Sequence, residues 1–465
     1  MSDDLAYLGI ADASEQIRSG KLSPVELTSA LIARAEKLDP RFHAYIRMTP
    51  DMALAAARRA EAEIAGGYWK GPMHGVPFAL KDIIDVMGVP TTCHSKILID
   101  NVARSDATVT ARLMAAGGVL MGKLATHEFA IGGPSFDLPW PPAVNPWGGK
   151  HFPGGSSSGS GVALASGMVP AALGTDTGGS VRNPASMCAI VGMKPTYGRV
   201  SRRGVFPLAF SLDHVGPMTR TVRDNALLLN VLAGHDPDDP GSADVDAPDF
   251  TRDLGRGVKG LRIGLVRHFY DGDDVAHPDQ IKAIDDAAEL LRGLGADVRE
   301  VRLAPGPDYA LCCRIILRSE AYAIHRAWMR ERPQDYGDFG RQRILDGATV
   351  TAADYIDALR LRAKLTAETL AVFETIDVAL TSSSLDPPPP LDDVEACQRV
   401  YPRQTRQPFN VTGQPALAMP AGFTADGLPL SLQLIGRPFA EATVYRVAAA
   451  YEGATGFTNR RPPGL

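Results

Sequence analysis

Two clusters of glycine and serine, separated by an apolar segment, constrain this chain more than any other feature. The clusters are GGSSSGS at residues 154–160 and TDTGGS at residues 175–180. The connecting segment contains VALA at 162–165 and VPAAL at 169–173, which is too apolar for a flexible linker. Glycine lets a ligand approach the main chain closely, and serine supplies hydroxyl groups. The stretch predicts two loops, joined by a buried connector, that present a nucleophile and several N–H donors in one place.

Two known loop motifs are alternatives for the first cluster. A phosphate-binding loop ends in Gly-Lys followed by Ser or Thr, and no lysine follows Gly159 or Gly161. The nucleophile elbow G-x-S-x-G is satisfied formally by residues 155–159 and would make Ser157 the nucleophile. The elbow requires a strand directly before it, whereas NPWGGKHFP at 145–153 has the composition of a loop. The elbow is therefore the weaker interpretation.

Taken together, GGSSSGS and GTDTGGSVRNPA resemble the signature of the amidase signature family, serine amidohydrolases with a Ser–cis-Ser–Lys triad. Other segments are similar to that family as well: GVPFALKD at 75–82, VGMKPTYGR at 191–199, DHVGPM at 213–218 and GQPA at 413–416. The resemblance extends over roughly residues 5–455, with one departure at Ser158, where the family more often has Gly. It implies an α/β fold, with a central mixed β-sheet covered on both faces by α-helices and a helical lid-like section.

Three residues are the expected catalytic groups: Lys81, Ser156 and Ser180. Amide hydrolysis needs a nucleophile, a base, an acid for the leaving nitrogen and donors for the oxyanion. No His or Asp obviously pairs with either serine cluster, and a lysine can serve as the base because burial lowers its pKa. We expect Ser180 as nucleophile, Lys81 as base and Ser156 as proton relay; the resemblance implies a cis peptide bond before Ser156.

The remaining expected site residues surround these three. The expected oxyanion donors are the backbone N–H groups of Thr177, Gly178, Gly179 and Ser180. Asp176 and Arg182 are expected to hold the loops by hydrogen bonds, and Ser157 to hydrogen-bond near the lysine. By resemblance, the substrate-binding residues are Phe129, Ala130, Ile131, Gly132 and Ser156. From the residues alone, the adjacent His127 and Glu128 would also suggest an acid/base pair.

Helical and strand patterns divide the chain into two predicted parts. Residues 1–70 are predicted to form an N-terminal helical arm. One of its helices is predicted to begin at the capping box Ser23-Pro24-Val25-Glu26. Residues 71–465 are predicted to form the catalytic domain, with a helical lid-like section at about 305–375. Its first elements are a strand at 76–80, a helix capped by Asp106 and a strand at 118–122, which is a βαβ pattern. Residues 235–257, rich in Pro, Asp and Gly, are predicted to be a surface linker.

Composition limits the partners and the location. Of the 465 residues 45% are hydrophobic and 22% charged, as in a globular protein, and the net charge of −5 argues against a nucleic-acid partner. Neither a signal peptide nor an 18-residue apolar run is evident, so no membrane association is expected. The five scattered cysteines fit neither a disulfide framework nor a zinc site. We expect a cytoplasmic enzyme without metal or cofactor, with a small amide as its partner and a homodimer left open.

The predicted activity is hydrolysis of C–N bonds in small carboxamides through a serine acyl-enzyme. The resemblance favours free-standing bacterial amidases that act on aryl amides, anilides and some carbamates, in the manner of aryl acylamidases. One alternative is a hydrolase of primary amides such as aryl-acetamides. Another is the catalytic A subunit of a glutamine-dependent tRNA amidotransferase, which would pass ammonia to a partner. A binding module without catalysis is disfavoured because all three catalytic residues are present.

Overall fold

A mixed β-sheet of eleven strands forms the centre of the protein in a computed structural model that describes residues 3–465. In chain order the strands are β1 (Tyr45–Met48), β2 (Pro77–Lys81), β3 (Val119–Leu124), β4 (Ala171–Asp176), β5 (Val191–Lys194), β6 (His214–Thr219), β7 (Arg262–Leu265), β8 (Asp297–Glu300), β9 (Val378–Ser382), β10 (Ala416–Phe423) and β11 (Pro429–Gly436). Their order across the sheet is β1-β3-β2-β4-β6-β5-β10-β11-β9-β7-β8. Strands β2, β3, β4, β6, β9 and β11 are buried at every position, so elements cover both of their faces. The predicted α/β fold is confirmed.

The α-helices of the described chain pack around this sheet. In order they are α1 (Asp3–Ala6), α2 (Ile10–Arg18), α3 (Pro24–Phe42), α4 (Pro50–Ala65), α5 (Thr108–Ala115), α6 (Ser158–Ala165), α7 (Arg182–Met187), α8 (Val222–Leu232), α9 (Pro278–Gly293), α10 (Gly306–Glu331), α11 (Asp338–Leu345), α12 (Ala352–Phe373), α13 (Val394–Val400), α14 (Pro408–Val411) and α15 (Glu441–Thr455). Short 3₁₀ turns lie at Lys96–Leu98, Glu128–Ala130, Arg267–Phe269, Pro333–Asp335, Asp346–Thr349 and Phe457–Asn459. None of the helices in residues 3–465 is both long and apolar enough to cross a membrane.

Helix α3 begins where the sequence predicts. The Ser23 hydroxyl accepts the N–H groups of Val25 and Glu26, which starts α3 with proline at its first position. The reciprocal half of the capping box, from the Ser23 N–H to the Glu26 carboxylate, is absent from the described hydrogen bonds, and the Ser23 hydroxyl also donates to Glu61 of α4. Strand β1 lies between these helices and pairs antiparallel with β3, so residues 45–48 form one edge of the central sheet.

Strands β2 and β3 pair in parallel and are joined through α5, as the βαβ pattern predicts. The predicted cap of α5 is wrong. The helix begins at Thr108 after Ala107, and the Asp106 carboxylate instead accepts the N–H of Met87 at 2.8 Å. A loop N–H therefore occupies the side-chain oxygen that a cap would have offered to the helix.

The segment at 235–257 contains neither helix nor strand, in agreement with its composition. It is nevertheless held against the protein. The Asp236 carboxylate accepts the hydroxyls of Thr108 and Ser201, each at 2.6 Å, and the Phe250 side chain is buried. Side-chain hydrogen bonds order a stretch that is too polar to form a core by itself.

Candidate active site

The lysine predicted as the base lies at the end of β2, beside the end of the parallel strand β4. Lys81 Nζ is 2.7 Å from Ser156 Oγ and 2.8 Å from Thr175 Oγ1, and its side chain is fully buried. The carboxyl ends of neighbouring parallel strands lie at the same edge of a sheet. This explains why Lys81 and Thr175, which are far apart in sequence, are in contact here. Thr175 was not among the predicted site residues.

The surroundings of Lys81 favour an uncharged amine. Burial lowers the pKa of Lys81 to about 7, and the more distant charges of Asp213 and Asp176 only partly oppose this shift. Its partners at hydrogen-bond distance are two neutral hydroxyls, not carboxylates. A large share of Lys81 is therefore neutral at pH 7 and can accept a proton from Ser156.

The first loop is shaped to present Ser156. The Gly155–Ser156 peptide bond is cis, as the resemblance implies. The Gly155 N–H donates to Asn183 Oδ1 at 2.9 Å, and the Ser156 carbonyl accepts the N–H of His127 at 3.0 Å. A Cβ atom at position 155 would lie 2.0 Å from the His127 ring, so only glycine fits there. Ser158, the departure from the family motif, is the first residue of α6 and adopts ordinary helical backbone angles.

The second loop places Ser180 in the lining of a cavity of about 420 Å³. Ser180 lies between β4 and α7, and its carbonyl accepts the Ser157 N–H at 3.3 Å. Within the described chain no hydrogen bond joins the hydroxyls of Ser156 and Ser180 directly. Because catalytic hydrogen bonds are often long without substrate, the relay from Ser180 to Ser156 stays a proposal.

Three of the four predicted oxyanion donors are unused. Over residues 3–465, the backbone N–H groups of Thr177, Gly178 and Ser180 have no acceptor. These three residues also line the cavity. The Gly179 N–H differs, because it donates to Asp176 Oδ1 at 2.8 Å. Backbone N–H groups without an acceptor are rare in protein interiors, so these three stay the predicted oxyanion donors.

Asp176 and Arg182 hold the second loop, as expected for supporting residues. The Arg182 Nη2 lies 2.9 Å from Asp176 Oδ1, and both side chains are fully buried. Burial disfavours the charged carboxylate, but the Arg182 charge and hydrogen bonds outweigh it and hold the pKa of Asp176 well below its ordinary value. Asn410 donates to the same carboxylate at 2.8 Å. The pair therefore anchors the turn that carries Ser180.

Ser157 links the two loops rather than facing substrate. Its hydroxyl donates to the Thr175 carbonyl at 3.3 Å and accepts the Thr175 N–H at 3.2 Å. It is not among the residues that line the cavity, and the segment before it contains no strand. Both observations disfavour the nucleophile-elbow alternative.

The predicted substrate-binding segment enters the site only in part. Ala130, Ile131 and Gly132 line the cavity, whereas Phe129 and Ser156 do not. The Phe129 ring packs instead against aromatic neighbours, with centroids 4.4 Å from His325 and 5.1 Å from Phe206. This large apolar ring is fully buried there, so a direct contact of Phe129 with substrate stays a prediction.

His127 and Glu128 do not form an acid/base pair. The His127 Nδ1 lies 3.0 Å from the Gly132 carbonyl, and burial lowers the pKa of His127 to about 3. The Glu128 carboxylate accepts the Ser95 hydroxyl at 2.6 Å and the Gly337 N–H at 3.0 Å. Burial raises the pKa of Glu128 to about 7. Both side chains therefore brace loops around the cavity.

Four functional candidates around Ser180 were not predicted. Tyr401 lines the cavity together with Ser180, and so do Arg314, Arg318 and Arg343. The arginines belong to α10 and α11, and Tyr401 directly follows α13. No motif or spacing connects these positions to the serine loops, since only packing of distant helices brings them together.

Among residues 3–465, no group of three or more His, Cys, Asp or Glu side chains is placed to hold a metal ion. The five cysteines are all free and buried. Of these, Cys313 lines the cavity, and burial raises the pKa of its thiol to about 12. A thiol in that state is a poor nucleophile, so Ser180 is the better candidate.

Comparisons with known proteins agree with this geometry. The family described as Amidase matches residues 26–445. The A subunit of glutamyl-tRNA(Gln) amidotransferase from Geobacter metallireducens is 41% identical over 486 aligned positions, which cover 98% of this chain and 99% of that protein. The corresponding A subunit from Chloroflexus aggregans is also 41% identical and is covered to 99%, as is this chain.

Solved structures are similar over nearly the whole chain. A chain from a vestigial protein complex, described as revealing the evolutionary origins of an s-triazine catabolic enzyme, has a TM-score of 0.91 at 32% identity and covers 96% of this chain and 99% of its own. A bacterial aryl acylamidase has a TM-score of 0.89 at 27% identity, with 99% of both chains covered. The A subunit of glutamyl-tRNA(Gln) amidotransferase from Thermotoga maritima has a TM-score of 0.81 at 34% identity, covering 97% and 96%.

Proposed function

This chain belongs to the amidase signature family, whose enzymes act on C–N amide bonds, and we propose that it hydrolyses small carboxamides as a single chain. The observation that carries the proposal is the position of a buried Lys81 against Ser156, beside the loop of Ser180. A base with a pKa of about 7 suits proton transfer near neutral pH.

The proposed reaction proceeds through an acyl-enzyme. Ser180 Oγ attacks the amide carbon while its proton passes to Ser156, whose own proton passes to neutral Lys81. The resulting oxyanion accepts hydrogen bonds from the free N–H groups of Thr177, Gly178 and Ser180. Ser156 then protonates the leaving nitrogen and regains a proton from Lys81, which becomes neutral again, and the amine or ammonia departs. Water, deprotonated through the same relay, attacks the ester and releases the carboxylic acid and Ser180.

The aryl-amide preference is the finer part of the proposal. The similarity to a bacterial aryl acylamidase supports it, and so do apolar cavity residues such as Ile131, Leu208 and Leu317. Such side chains would accommodate a ring by burial of apolar surface. Anilides and aryl carbamates are therefore the first neutral substrates to test.

A second candidate function is that of an amidotransferase A subunit, which would release ammonia from glutamine for a partner. The curated relatives at 41% identity carry that name, and they favour this candidate more directly than the aryl-amide one. The chemistry of the cavity favours the first candidate, because no described residue that lines it is an Asp or Glu. The α-ammonium of glutamine would lack a charged partner there.

A release assay on the purified chain separates these functions. The substrates are 4-nitroacetanilide, an aryl carbamate, phenylacetamide and glutamine, with Ser180→Ala as the reference. Hydrolysis of an amide other than glutamine would support the single-chain hydrolase, provided that Ser180→Ala lowers its rate at least about 10³-fold. Unchanged rates in Ser180→Ala would refute the mechanism. Activity on glutamine alone, or none without a partner, would favour the amidotransferase reading.

The cytoplasmic location and the homodimer also stay proposals. Five free, buried cysteines fit a reducing compartment. Size-exclusion chromatography with light scattering would establish the oligomeric state.

A further inference from the structure

Three arginines border the cavity that holds Ser180. Arg314 and Arg318 project from α10, and Arg343 comes from α11. Every other described side chain that lines the cavity is uncharged, including the Cys313 thiol, whose pKa is raised by burial. Positive charge therefore concentrates at the catalytic serine without a protein anion inside the cavity to balance it.

The three guanidinium groups are not equally available. Arg318 Nη2 lies 3.0 Å from the Asp346 carboxylate, so an ion pair already engages it. Arg314 and Arg343 make no hydrogen bond or ion pair with any residue in the described range 3–465. The Arg343 guanidinium lies 4.9 Å from the centroid of the Phe339 ring, and this contact orients the group without neutralising it.

The charge of Arg343 acts on two groups near the cavity, His127 and Tyr401. Burial is the main cause that lowers the pKa of His127, and the Arg343 charge adds to it. Burial raises the pKa of Tyr401, and the charges of Arg406 and then Arg343 oppose that rise. Arg343, Tyr401 and Ser180 line the same cavity, so a ligand anion beside Arg343 would lie in the cavity of the nucleophile.

We propose that the cavity selects amides that carry a carboxylate, with Arg343 and Arg314 as its receptors. This inference rests on the proposed amide hydrolysis and names its substrate class. A guanidinium presents two parallel N–H donors that match a carboxylate. Arg343 is half-buried and Arg314 is exposed, so the contact with Arg343 is the less screened by water. Because no carboxylate lines the cavity, the preferred substrates carry no ammonium group, as in monoamides of small dicarboxylic acids.

Matched pairs of amides test this selectivity. Succinamate is compared with butyramide and glutaramate with valeramide, since each pair differs mainly by the terminal carboxylate. We expect kcat/KM for the acidic member to exceed that of the neutral one by about 10–100-fold at low salt, and the ratio to fall as salt is added. Glutamine should react more slowly than glutaramate because it adds an unpartnered ammonium group.

Variants of the receptors locate the effect. Arg343→Gln and Arg314→Gln should each lower the acidic-to-neutral ratio about tenfold or more, chiefly through KM, and Arg343→Lys should lower it less. Arg326→Gln is the matched control, because Arg326 is an exposed arginine of the same helix, α10, and does not line the cavity. If a glutamine variant fails to fold, inhibition of the wild type by succinate and glutarate is measured instead. We expect both to inhibit competitively, and added salt to weaken the inhibition.

The outcomes separate this inference from the proposed function. Equal kcat/KM within both pairs, or a ratio that survives Arg314→Gln combined with Arg343→Gln, would overturn carboxylate selection while leaving amide hydrolysis intact. Amide hydrolysis that is insensitive to Ser180→Ala would instead overturn the function on which it rests. Loss of the ratio in Arg326→Gln would also count against the assigned receptors.

Discussion

At the scale of single residues, the site depends on a lysine kept in an environment that disfavours its charge. Lys81 is fully buried, and the two groups it contacts are hydroxyls. Moving a cation into such a place costs free energy unless it loses its proton. The same burial that makes Lys81 a base therefore makes it a source of instability.

The first prediction concerns the pH dependence of activity. Below a pKa of about 7 Lys81 is protonated and cannot accept the Ser156 proton. For an amide that does not titrate itself, kcat/KM should fall about tenfold per pH unit below pH 7 and level off above it. A profile measured from pH 5 to 9 that stays flat through this range would contradict Lys81 as the base.

The second prediction concerns stability. The pKa of Lys81 is about 7 in the folded protein against an ordinary value of 10.5, so the native state binds fewer protons. Stability therefore falls as pH decreases from 10.5 towards 7, and this loss disappears in Lys81→Met. Lys81→Met should therefore raise the free energy of unfolding. This increase should be about 2–4 kcal/mol larger at pH 6.5 than at pH 9.5.

Urea unfolding of both proteins at the two pH values measures this difference. Lys21→Met, at an exposed position, is the matched control and should show no such pH-dependent gain. A gain for Lys81→Met that is the same at pH 6.5 and pH 9.5 would argue against the proton linkage. The inactive variant is expected to be the more stable protein at neutral pH.

At the scale of elements, a buried ion pair joins the two strands that position the lysine. Asp82 follows β2, Lys123 lies on β3, and Lys123 Nζ is 2.9 Å from Asp82 Oδ1 with both side chains fully buried. Lys123 also donates to Thr91 at 2.9 Å, and Asp82 accepts the Thr92 N–H at 3.1 Å. The pair fixes the loop after β2 immediately behind Lys81.

The third prediction compares the removal of one partner of this ion pair with the replacement of both. Lys123→Met leaves the Asp82 charge buried without its partner and should reduce the unfolding free energy by about 3–5 kcal/mol. Adding Asp82→Asn should restore most of that loss, because two neutral groups avoid the desolvation cost. Urea unfolding of both variants measures this. Additive losses in the double variant would show that the pair is not the source of the effect.

At the scale of the whole molecule, the N-terminal helices and the central sheet share one core. The sheet edge β1 belongs to residues 1–70, and apolar residues of α3 such as Leu27, Leu31 and Phe42 join the main core cluster. Their removal would uncover β3 at the edge and the apolar surface beneath α3. Exposed edges and apolar patches of this kind promote aggregation.

The fourth prediction follows for a truncated protein. A chain of residues 71–465 should fail to unfold cooperatively and should aggregate, in contrast to the full chain. Circular dichroism melting and size-exclusion chromatography on both chains test this. A soluble, active fragment would show that residues 1–70 are an accessory arm, as the helical pattern alone allows.

The sequence by itself determined the features that depend on residues close together in the chain. The glycine–serine clusters and the VPFALK strand identify Lys81, Ser156 and Ser180, because a motif needs particular side chains at short spacing. Helix α3 is likewise predicted from a local cap. Local prediction failed where another part of the chain competed for the same group, as when the N–H of Met87 occupied the Asp106 carboxylate.

Only the tertiary structure decided how the site is completed. Thr175 reaches Lys81 through the pairing of β4 with β2, and Tyr401 and Arg343 arrive from elements packed over Ser180. The Gly179 N–H donates to Asp176, and the Phe129 ring packs in an aromatic cluster. These outcomes depend on which buried donors find acceptors and which rings find apolar neighbours. Both are settled between elements distant in sequence, so no local pattern records them.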